Sequence, residues 1–402
     1  MNDKKKLLTD MFQYKELPMK NSPNILLFNI PCEGYGDLIF AFKLSSYLIE
    51  WYNAKITIAT INTDAYSKLG LSSPNIKIHK LIKGITSSSK CRYLKGLSFV
   101  SNEVFDLIFV APRTEKDPIL SDVKSVIPYS NLFNTYFFSE YTTKTEEPWF
   151  YDYDFPTGID SDCYGLLLTP FKMLPRPINL PNPYIFIYIS KIEEYKAKNC
   201  LMSFMQMIDI KYKNVKRLEI VAPAQILVMI NKKLISKLKY FKLYNNDDIK
   251  DSNVLVLRYD IFPIEYKYIS NVMYHSEEDI LLTGDQSLTD ALSCCSKKNI
   301  FYQALYHKKS FLKLLSKKMP NKYLQKIKTS CGTIKAIKYK SNYSSFVKNN
   351  DFRIKARPKM DAIMKYIRYK DDKPIKMEKI EDIILSSRTK EKIIAKLEEL
   401  SS

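Results

Sequence analysis

Glycine is scarce in this sequence. Nine glycines occur in 402 residues, whereas globular proteins average ~7% glycine. Each of the nine is therefore a candidate for a position where the backbone turns sharply or comes close to a ligand. Internal repeats are lacking too. No pattern recurs at a fixed spacing of ~20 to 50 residues, which excludes solenoids and propellers.

Common signatures of metal and cofactor sites are also missing. The chain has three histidines, His79, His275 and His307, and no paired CxxC motif, so a zinc site is not expected. There is no Walker loop, no G-x-S-x-G, and no third glycine that would complete a G-x-G-x-x-G fingerprint. We therefore expect neither a metal nor a dinucleotide cofactor.

Signals for export and membrane insertion are absent from the sequence. The first 18 residues are charged and lack the apolar core of a signal peptide, and no apolar run is long enough to span a bilayer. Seven scattered cysteines, an odd number, indicate free thiols in a reducing compartment. Apolar residues make up 46% of the chain, which excludes global disorder. These features predict a cytoplasmic globular protein.

Positive charge is abundant and unevenly placed. The net charge is +20, and residues 301–375 hold 20 Lys and Arg against 4 Asp and Glu, whereas residues 376–402 hold six of each. Such a segment suits an acidic partner, an anionic surface or nucleic acid, although a solvated lysine-rich surface gives the same count. Lysine far outnumbers arginine there, which disfavours base recognition.

Strand-like and helix-like segments alternate along the chain. Strands are predicted at 24–30, 55–60, 76–81, 104–112, 184–190, 217–223, 253–259, 280–285 and 299–303. Helices are predicted after the first strand, over 191–208, from Ser287 and over 386–400. Five prolines within residues 170–183 predict an extended linker. The pattern is typical of α/β proteins with parallel sheets, here two Rossmann-like domains facing across a cleft.

The loop PCEGYGD (31–37) follows the first predicted strand. Gly34 and Gly36 allow a tight turn and a close approach of a ligand. Asp37 is predicted to be the N-cap of the next helix. Because this loop leaves the carboxyl end of a strand, Asp37 is also a candidate general base that faces the cleft, and Glu33 is a second candidate.

The segment TGDQSLTDALS (283–293) predicts a second site. Ser287 and Asp290 have the spacing of a capping box after Gly284, which an ordinary helix start explains. The same geometry also forms a diphosphate site from free N–H groups and the helix dipole, with Gln286 and Ser287 as added donors. Asp285 suits sugar or ribose hydroxyls, or a cationic acceptor, better than phosphate.

Taken in order, these motifs resemble the bacterial protein-arginine rhamnosyltransferases that modify elongation factor P. In that family FGDIG joins the first strand to a helix, a later strand carries F-x-Y, and GEDS opens a further helix. The counterparts here are YGDLI with Asp37, FIY at 186–188 and GDQS at 284–287, followed by NIFYQ with Gln303. The resemblance covers residues 24–310. It departs at Thr283, Asp285 and Gln286, where the family has Arg, Glu and Asp.

This resemblance implies roles for individual residues. Asp37 would lie in the region of the catalytic base, and Asp285 would be catalytic or orient the acceptor. Phe262 in RYDIFP (258–263) would stack on the nucleotide base. The other residues implied for donor binding are Gly34, Gly36, Phe186, Tyr188, Gly284, Gln286, Ser287 and Gln303. Two aromatic residues on one strand, Phe186 and Tyr188, equally suit a protein core.

The resemblance leads to the hypothesis of an inverting, metal-independent glycosyltransferase with a GT-B fold. It would use a nucleoside-diphosphate sugar, need no other cofactor and act on a protein or glycan acceptor. The predicted division is an extension at 1–22, an acceptor domain at 23–172, a donor domain at 173–345 and a helical tail at 346–402. The alternative is an inactive GT-B-like binding protein that holds nucleic acid or an anionic partner through its basic segment.

Overall fold

The structure is a computed structural model that describes most of the chain. The described residues are 22–31, 35–83, 97–98, 103, 105–113, 135–141, 154–190, 194–230, 232–244, 253–303, 305, 308–319, 324–329, 332–337 and 343–365. Glu33, Gly34, His307 and the helix predicted at 386–400 lie outside these residues, as does much of the basic segment. Among the described residues, no helix is long and apolar enough to cross a membrane.

The N-terminal domain is built on one six-stranded sheet. Its elements are β1 (Asn24–Asn29), α1 (Gly36–Tyr52), β2 (Lys55–Thr60), α2 (Thr63–Lys68), β3 (Ile76–Lys80), β4 (Ile82–Lys83), β5 (Leu97–Ser98), β6 (Leu107–Arg113), β7 (Thr135–Ser139) and β8 (Asp154–Pro156). The sheet order is β3-β2-β1-β6-β7-β8, and all its neighbouring strands are parallel. The order reverses between β1 and β6, so the crevice beyond their carboxyl ends is where such a fold binds ligands.

Strand β1 shows why this sheet is buried on both faces. Ile25 and Leu27 belong to the core beneath α1, whereas Leu26 and Phe28 belong to the core on the opposite face. Because successive side chains on a strand point to opposite faces, a continuous apolar run such as NILLFN fills both cores.

The C-terminal domain contains the remaining strands and most of the helices. Its elements are β9 (Tyr184–Phe186), α3 (Glu194–Lys211), β10 (Arg217–Val221), α4 (Ile226–Met229), α5 (Lys232–Ile235), β11 (Lys242–Tyr244), β12 (Val254–Arg258), α6 (Tyr266–His275), β13 (Asp279–Thr283), α7 (Asp285–Cys294), β14 (Asn299–Gln303), α8 (Lys309–Lys318), β15 (Leu324–Thr329) and β16 (Gly332–Ile337).

These strands form two four-stranded sheets, ordered β11-β12-β10-β9 and β13-β14-β16-β15. A parallel bridge between Ile187 and Leu281 joins them side by side. Here the order reverses between β9 and β13, so the region beyond their carboxyl ends is the second place where such a fold binds ligands. The predicted α/β class with two Rossmann-like domains is confirmed.

Within residues 343–365, the last stretch that the structure describes, there are three short helices: α9 (Ser344–Asn349), α10 (Phe352–Lys355) and α11 (Arg357–Lys365). The chain here returns to the first domain, because Phe352, Met360 and Met364 are buried in the core beneath α1. Gly165 permits this return. It has φ +90°, and a Cβ atom there would lie 2.5 Å from the Asn350 carbonyl oxygen.

Both predicted helix starts need correction. Helix α1 begins at Gly36, so Asp37 lies inside the first turn and is not the N-cap. Helix α7 begins at Asp285 with Gly284 as N-cap, so Ser287 is not the capping residue of the predicted motif. In both cases the helix begins before the residue that the capping pattern gives as its N-cap. The predicted strand at 184–190 also ends early, at Phe186.

Candidate active site

The N-termini of α1 and α7 meet between the two domains. A methyl group placed on Gly36 would lie 3.9 Å from Cγ of Gln286 and 3.9 Å from Oε1 of Glu140. The Gln286 amide also donates to Glu140 Oε1 at 3.3 Å. Helix α1 follows β1, Glu140 follows β7, and α7 follows β13. The carboxyl ends of strands from the two domains therefore face one another at this point.

Gly284 forms the turn that starts α7. Its backbone has φ 80° and ψ 156°, a region that is essentially restricted to glycine. Apart from its two chain neighbours, no atom of the described residues lies within 4 Å of where its Cβ would be. The described residues therefore leave space beside the helix N-terminus.

Replacing this glycine tests the turn. We expect Gly284→Ala to reduce the free energy of unfolding by about 1–3 kcal/mol through backbone strain, since the added methyl group contacts no other described residue beyond its chain neighbours. Gly36→Ala is the matched control. Gly36 lies in the first turn of a helix, where alanine is favoured over glycine, so no loss is expected. Urea unfolding of both variants measures the difference, and equal stabilities would contradict the assignment of strain to Gly284.

Asp285 is fully buried at the N-terminus of α7 and forms an ion pair with Lys308, whose side chain is 13% exposed. Burial raises the pKa of Asp285 to about 7, although Lys308 acts to lower it, and the negative charge of Glu140 adds to the rise. Burial alone would lower the pKa of Lys308, but the surrounding carboxylates, with Asp285 first, outweigh it and raise that pKa. Asp285 can therefore change its protonation state near neutral pH.

Some buried polar atoms around this pair have no hydrogen-bond partner among the described residues. Oε1 of Gln286 is buried and has no hydrogen bond to any described residue. The Tyr302 hydroxyl lies beside the Asp285 carboxylate, but the geometry between them is outside the range of a regular hydrogen bond. Because buried polar groups are normally satisfied, these atoms indicate a place for a polar ligand or for water.

Asp37 is half-buried in the first turn of α1. Its main-chain carbonyl accepts a hydrogen bond at 3.0 Å from Asn29, which is buried at the end of β1. Asn29 also donates to the Ala111 carbonyl and accepts from the Tyr66 hydroxyl at 2.9 Å. The first turn of α1 is thus fixed to the sheet. The negative charge of Asp37 adds to burial in raising the pKa of Tyr66. The same charge contributes to the raised pKa of Lys308.

The other predicted donor residues differ in their access to this site. Phe186 is 1% exposed and packs in the core, its ring 6.4 Å from that of Phe262. Tyr188 and Phe262 are half-buried, and Ser287 is half-buried with no hydrogen bond to a described residue. Gln303 is 3% exposed, and its amide binds the backbone N–H and carbonyl of Ser190 at 3.0 and 3.1 Å. Gln303 therefore fixes the loop after β9.

Glu140 and Lys308 were not identified from the sequence. Glu140 directly follows β7, and Lys308 follows β14 by five residues. The available signal was their position beyond the carboxyl ends of strands, but β7 itself was not predicted. Among the described residues, no group of three or more His, Cys, Asp or Glu is arranged to hold a metal ion.

No protein-family model matches the chain, and no curated protein matches it significantly. A glycosyl transferase family 9 protein from Veillonella parvula is 7% identical, with a TM-score of 0.41 over 83% of this chain and 100% of that one. A UDP-glucosyltransferase from Polygonum tinctorium is 11% identical, with a TM-score of 0.45 over 94% and 98%. ADP-heptose LPS heptosyltransferase II of E. coli is 11% identical, with a TM-score of 0.38 over 85% and 98%. These three solved structures, to which the chain is similar at low identity, are glycosyltransferases.

Proposed function

We propose that this chain is an inverting glycosyltransferase that moves a sugar from a nucleoside-diphosphate sugar to an acceptor. The observation that carries the proposal is the meeting of two helix N-termini, one from each Rossmann-like domain, around buried and partly unsatisfied polar side chains. The acceptor would bind against the N-terminal domain and the donor against the C-terminal domain.

The N-terminus of α7 suits the diphosphate of the donor. The backbone N–H groups of Asp285, Gln286 and Ser287 have no hydrogen-bond partner among the described residues, and the helix dipole favours an anion there. Lys308 adds a cation at the same place. With a pKa near 7, Asp285 can take up a proton when the diphosphate arrives, which leaves the charge of Lys308 to the phosphate. In this proposal these groups take the role that a metal ion has elsewhere.

The N-terminal domain suits the activation of the acceptor. Inversion requires a base on the face of the sugar opposite the leaving diphosphate. Asp37 is our candidate for that base, because it lies on α1 across the site from α7. Glu140 is a second carboxylate on the same side. Either carboxylate would accept the proton of an acceptor hydroxyl or amine on a protein or glycan.

Ligand-induced stabilisation tests the proposal. UDP, GDP, dTDP and CMP, each free and with a sugar attached, would be compared in thermal unfolding experiments. One of them is expected to stabilise the protein by about 2.7 kcal/mol at 100 times its dissociation constant. Transfer would then be followed with the matching sugar nucleotide, and the product anomer determined by NMR.

The opposite outcome is also informative. If no nucleotide stabilises the protein while RNA binds with an affinity that falls steeply with salt, the inactive binding protein is the better hypothesis.

Ser287 provides a local test of the diphosphate site. Its hydroxyl is half-buried in the first turn of α7 and is not the N-cap. We expect Ser287→Ala to weaken donor binding by about 1.5–3 kcal/mol, the range for a hydrogen bond to a charged group, without a change in melting temperature. Calorimetric titration measures the affinity. Ser296→Ala, at an exposed position just beyond the other end of the same helix, is the control that should leave donor binding intact. Unchanged affinity in Ser287→Ala would remove this residue from the site.

A further inference from the structure

A buried ion pair joins α1 to α7 behind the proposed site. Nζ of Lys43 lies 2.6 Å from Oδ1 of Asp290, and the two side chains are 2% and 3% exposed. Lys43 belongs to the N-terminal domain and Asp290 to the C-terminal domain. Neither residue has a role in the proposed reaction.

Both members of the pair form further hydrogen bonds. Lys43 Nζ also donates to the Leu167 carbonyl and to Thr289 Oγ1, each at 3.0 Å. Asp290 Oδ1 accepts from Thr169 and from the Tyr266 hydroxyl. Lys43 thus uses all three of its donors, and one oxygen of Asp290 accepts three bonds. Such a buried network favours one arrangement of the groups that form it.

The network reaches the first turn of α7. Thr289 donates to the Gln286 carbonyl at 2.9 Å, and Ser293 connects the same helix to the backbone N–H of Thr169. Lys43 is seven residues after Gly36, and Asp290 is four residues after Gln286. At 1.5 Å per residue, the ion pair therefore lies about 6–10 Å behind the point where the two helices meet.

We propose that Lys43 and Asp290 are positioning residues, which hold the N-termini of α1 and α7 in the register required for transfer. A buried ion pair contributes little net stability compared with apolar residues of equal size, because desolvation offsets the attraction. Its contribution is to fix the relative position of the partners. The kinetic part of this inference rests on the proposed function, whereas the coupling of the domains can be tested without it.

The test uses the full chain with the double substitution Lys43→Met/Asp290→Leu, and with Asp290→Asn as a milder second variant. Donor affinity should stay within about twofold of the parent, because the α7 N-terminus is retained. Turnover should fall by about 10²-fold, the scale for a misplacement of about 1 Å between reacting groups. Lys211→Met/Asp279→Leu removes a pair that lies entirely within the C-terminal domain and is the matched control.

Domain coupling is measured separately by tryptic cleavage after Lys172, which is exposed in the linker between the domains. Cleavage under native conditions, followed by mass spectrometry, should accelerate at least about tenfold in the interdomain variants and not in the control. If both interdomain variants are cleaved at the same rate as the unsubstituted protein and have the same turnover, the inference is overturned. Faster cleavage in a protein that binds no nucleotide would support domain coupling and contradict the proposed function.

Discussion

Asp37→Asn is expected to lower turnover by about 10²- to 10⁴-fold, the usual contribution of a general base, while donor affinity stays intact. An amide cannot accept the acceptor proton, but it keeps nearly the same shape. The donor binds the other domain in our proposal, so its dissociation constant should not change. Discontinuous activity assays at saturating donor concentration measure the turnover, and calorimetric titration measures the affinity for the donor.

The structure alters what this variant does to stability. Asp37 lies within the first turn of α1 and is not the cap, so its replacement removes a favourable interaction with the helix dipole worth about 0.3–1 kcal/mol. The fold should therefore persist. Glu140→Gln is the companion variant, since Glu140 lies on the same side of the site. Full activity in Asp37→Asn together with inactivity in Glu140→Gln would transfer the role of base to Glu140.

Lys308→Gln is expected to have the largest effect on stability. It leaves the fully buried Asp285 without its cation, and breaking a buried ion pair from one side typically costs about 3–5 kcal/mol. It also removes the cation proposed to bind the diphosphate. Donor binding should therefore fall even at temperatures where the variant is folded.

The loss of stability in Lys308→Gln should depend on pH in a defined direction. Lys308 lowers the pKa of Asp285, so its removal raises that pKa further above its value of about 7 in the parent. Between the pKa of ~3.9 in the unfolded chain and the folded value, the folded state binds more protons, and stability falls as pH rises. Lys308→Gln should thus lose more stability at pH 8 than at pH 5, as measured by urea unfolding.

A double substitution separates the two effects of Lys308. Asp285→Asn/Lys308→Gln removes the uncompensated charge and should recover most of the stability at pH 8, but not the donor affinity. If the single variant is equally stable at both pH values, Asp285 does not carry the proposed charge. If the double variant binds donor like the parent, Lys308 is not part of the diphosphate site.

Local patterns predicted the sheets well. The strands at 55–60 and 299–303 have the bounds expected from their apolar runs, because such runs fill both faces of a parallel sheet. The helix starts were predicted less well. Asp37 and Ser287 are favourable N-cap residues, but the two helices begin at Gly36 and Asp285, before each of them.

Contacts between the domains could not be predicted from local patterns. Glu140 meets Gln286, 146 residues later in the chain, and Lys43 meets Asp290, 247 residues later. No periodicity or spacing in either segment indicates its partner. What brings them together is the order of strands in two sheets and the packing of α1 on α7, which are properties of the whole fold.

The return of the chain to the N-terminal domain restricts how the two domains can move. Tyr343 is buried in the C-terminal core and Phe352, nine residues later, in the N-terminal core. This second crossing is bonded to the residues just before the first one, through the Leu166 N–H to Asn350 carbonyl bond at 2.6 Å. Two adjacent covalent connections between the domains define a hinge axis. Separation of the two domains would therefore be a rotation about that axis, with sliding and twisting of one domain against the other suppressed. The site at the helix N-termini would widen on one side.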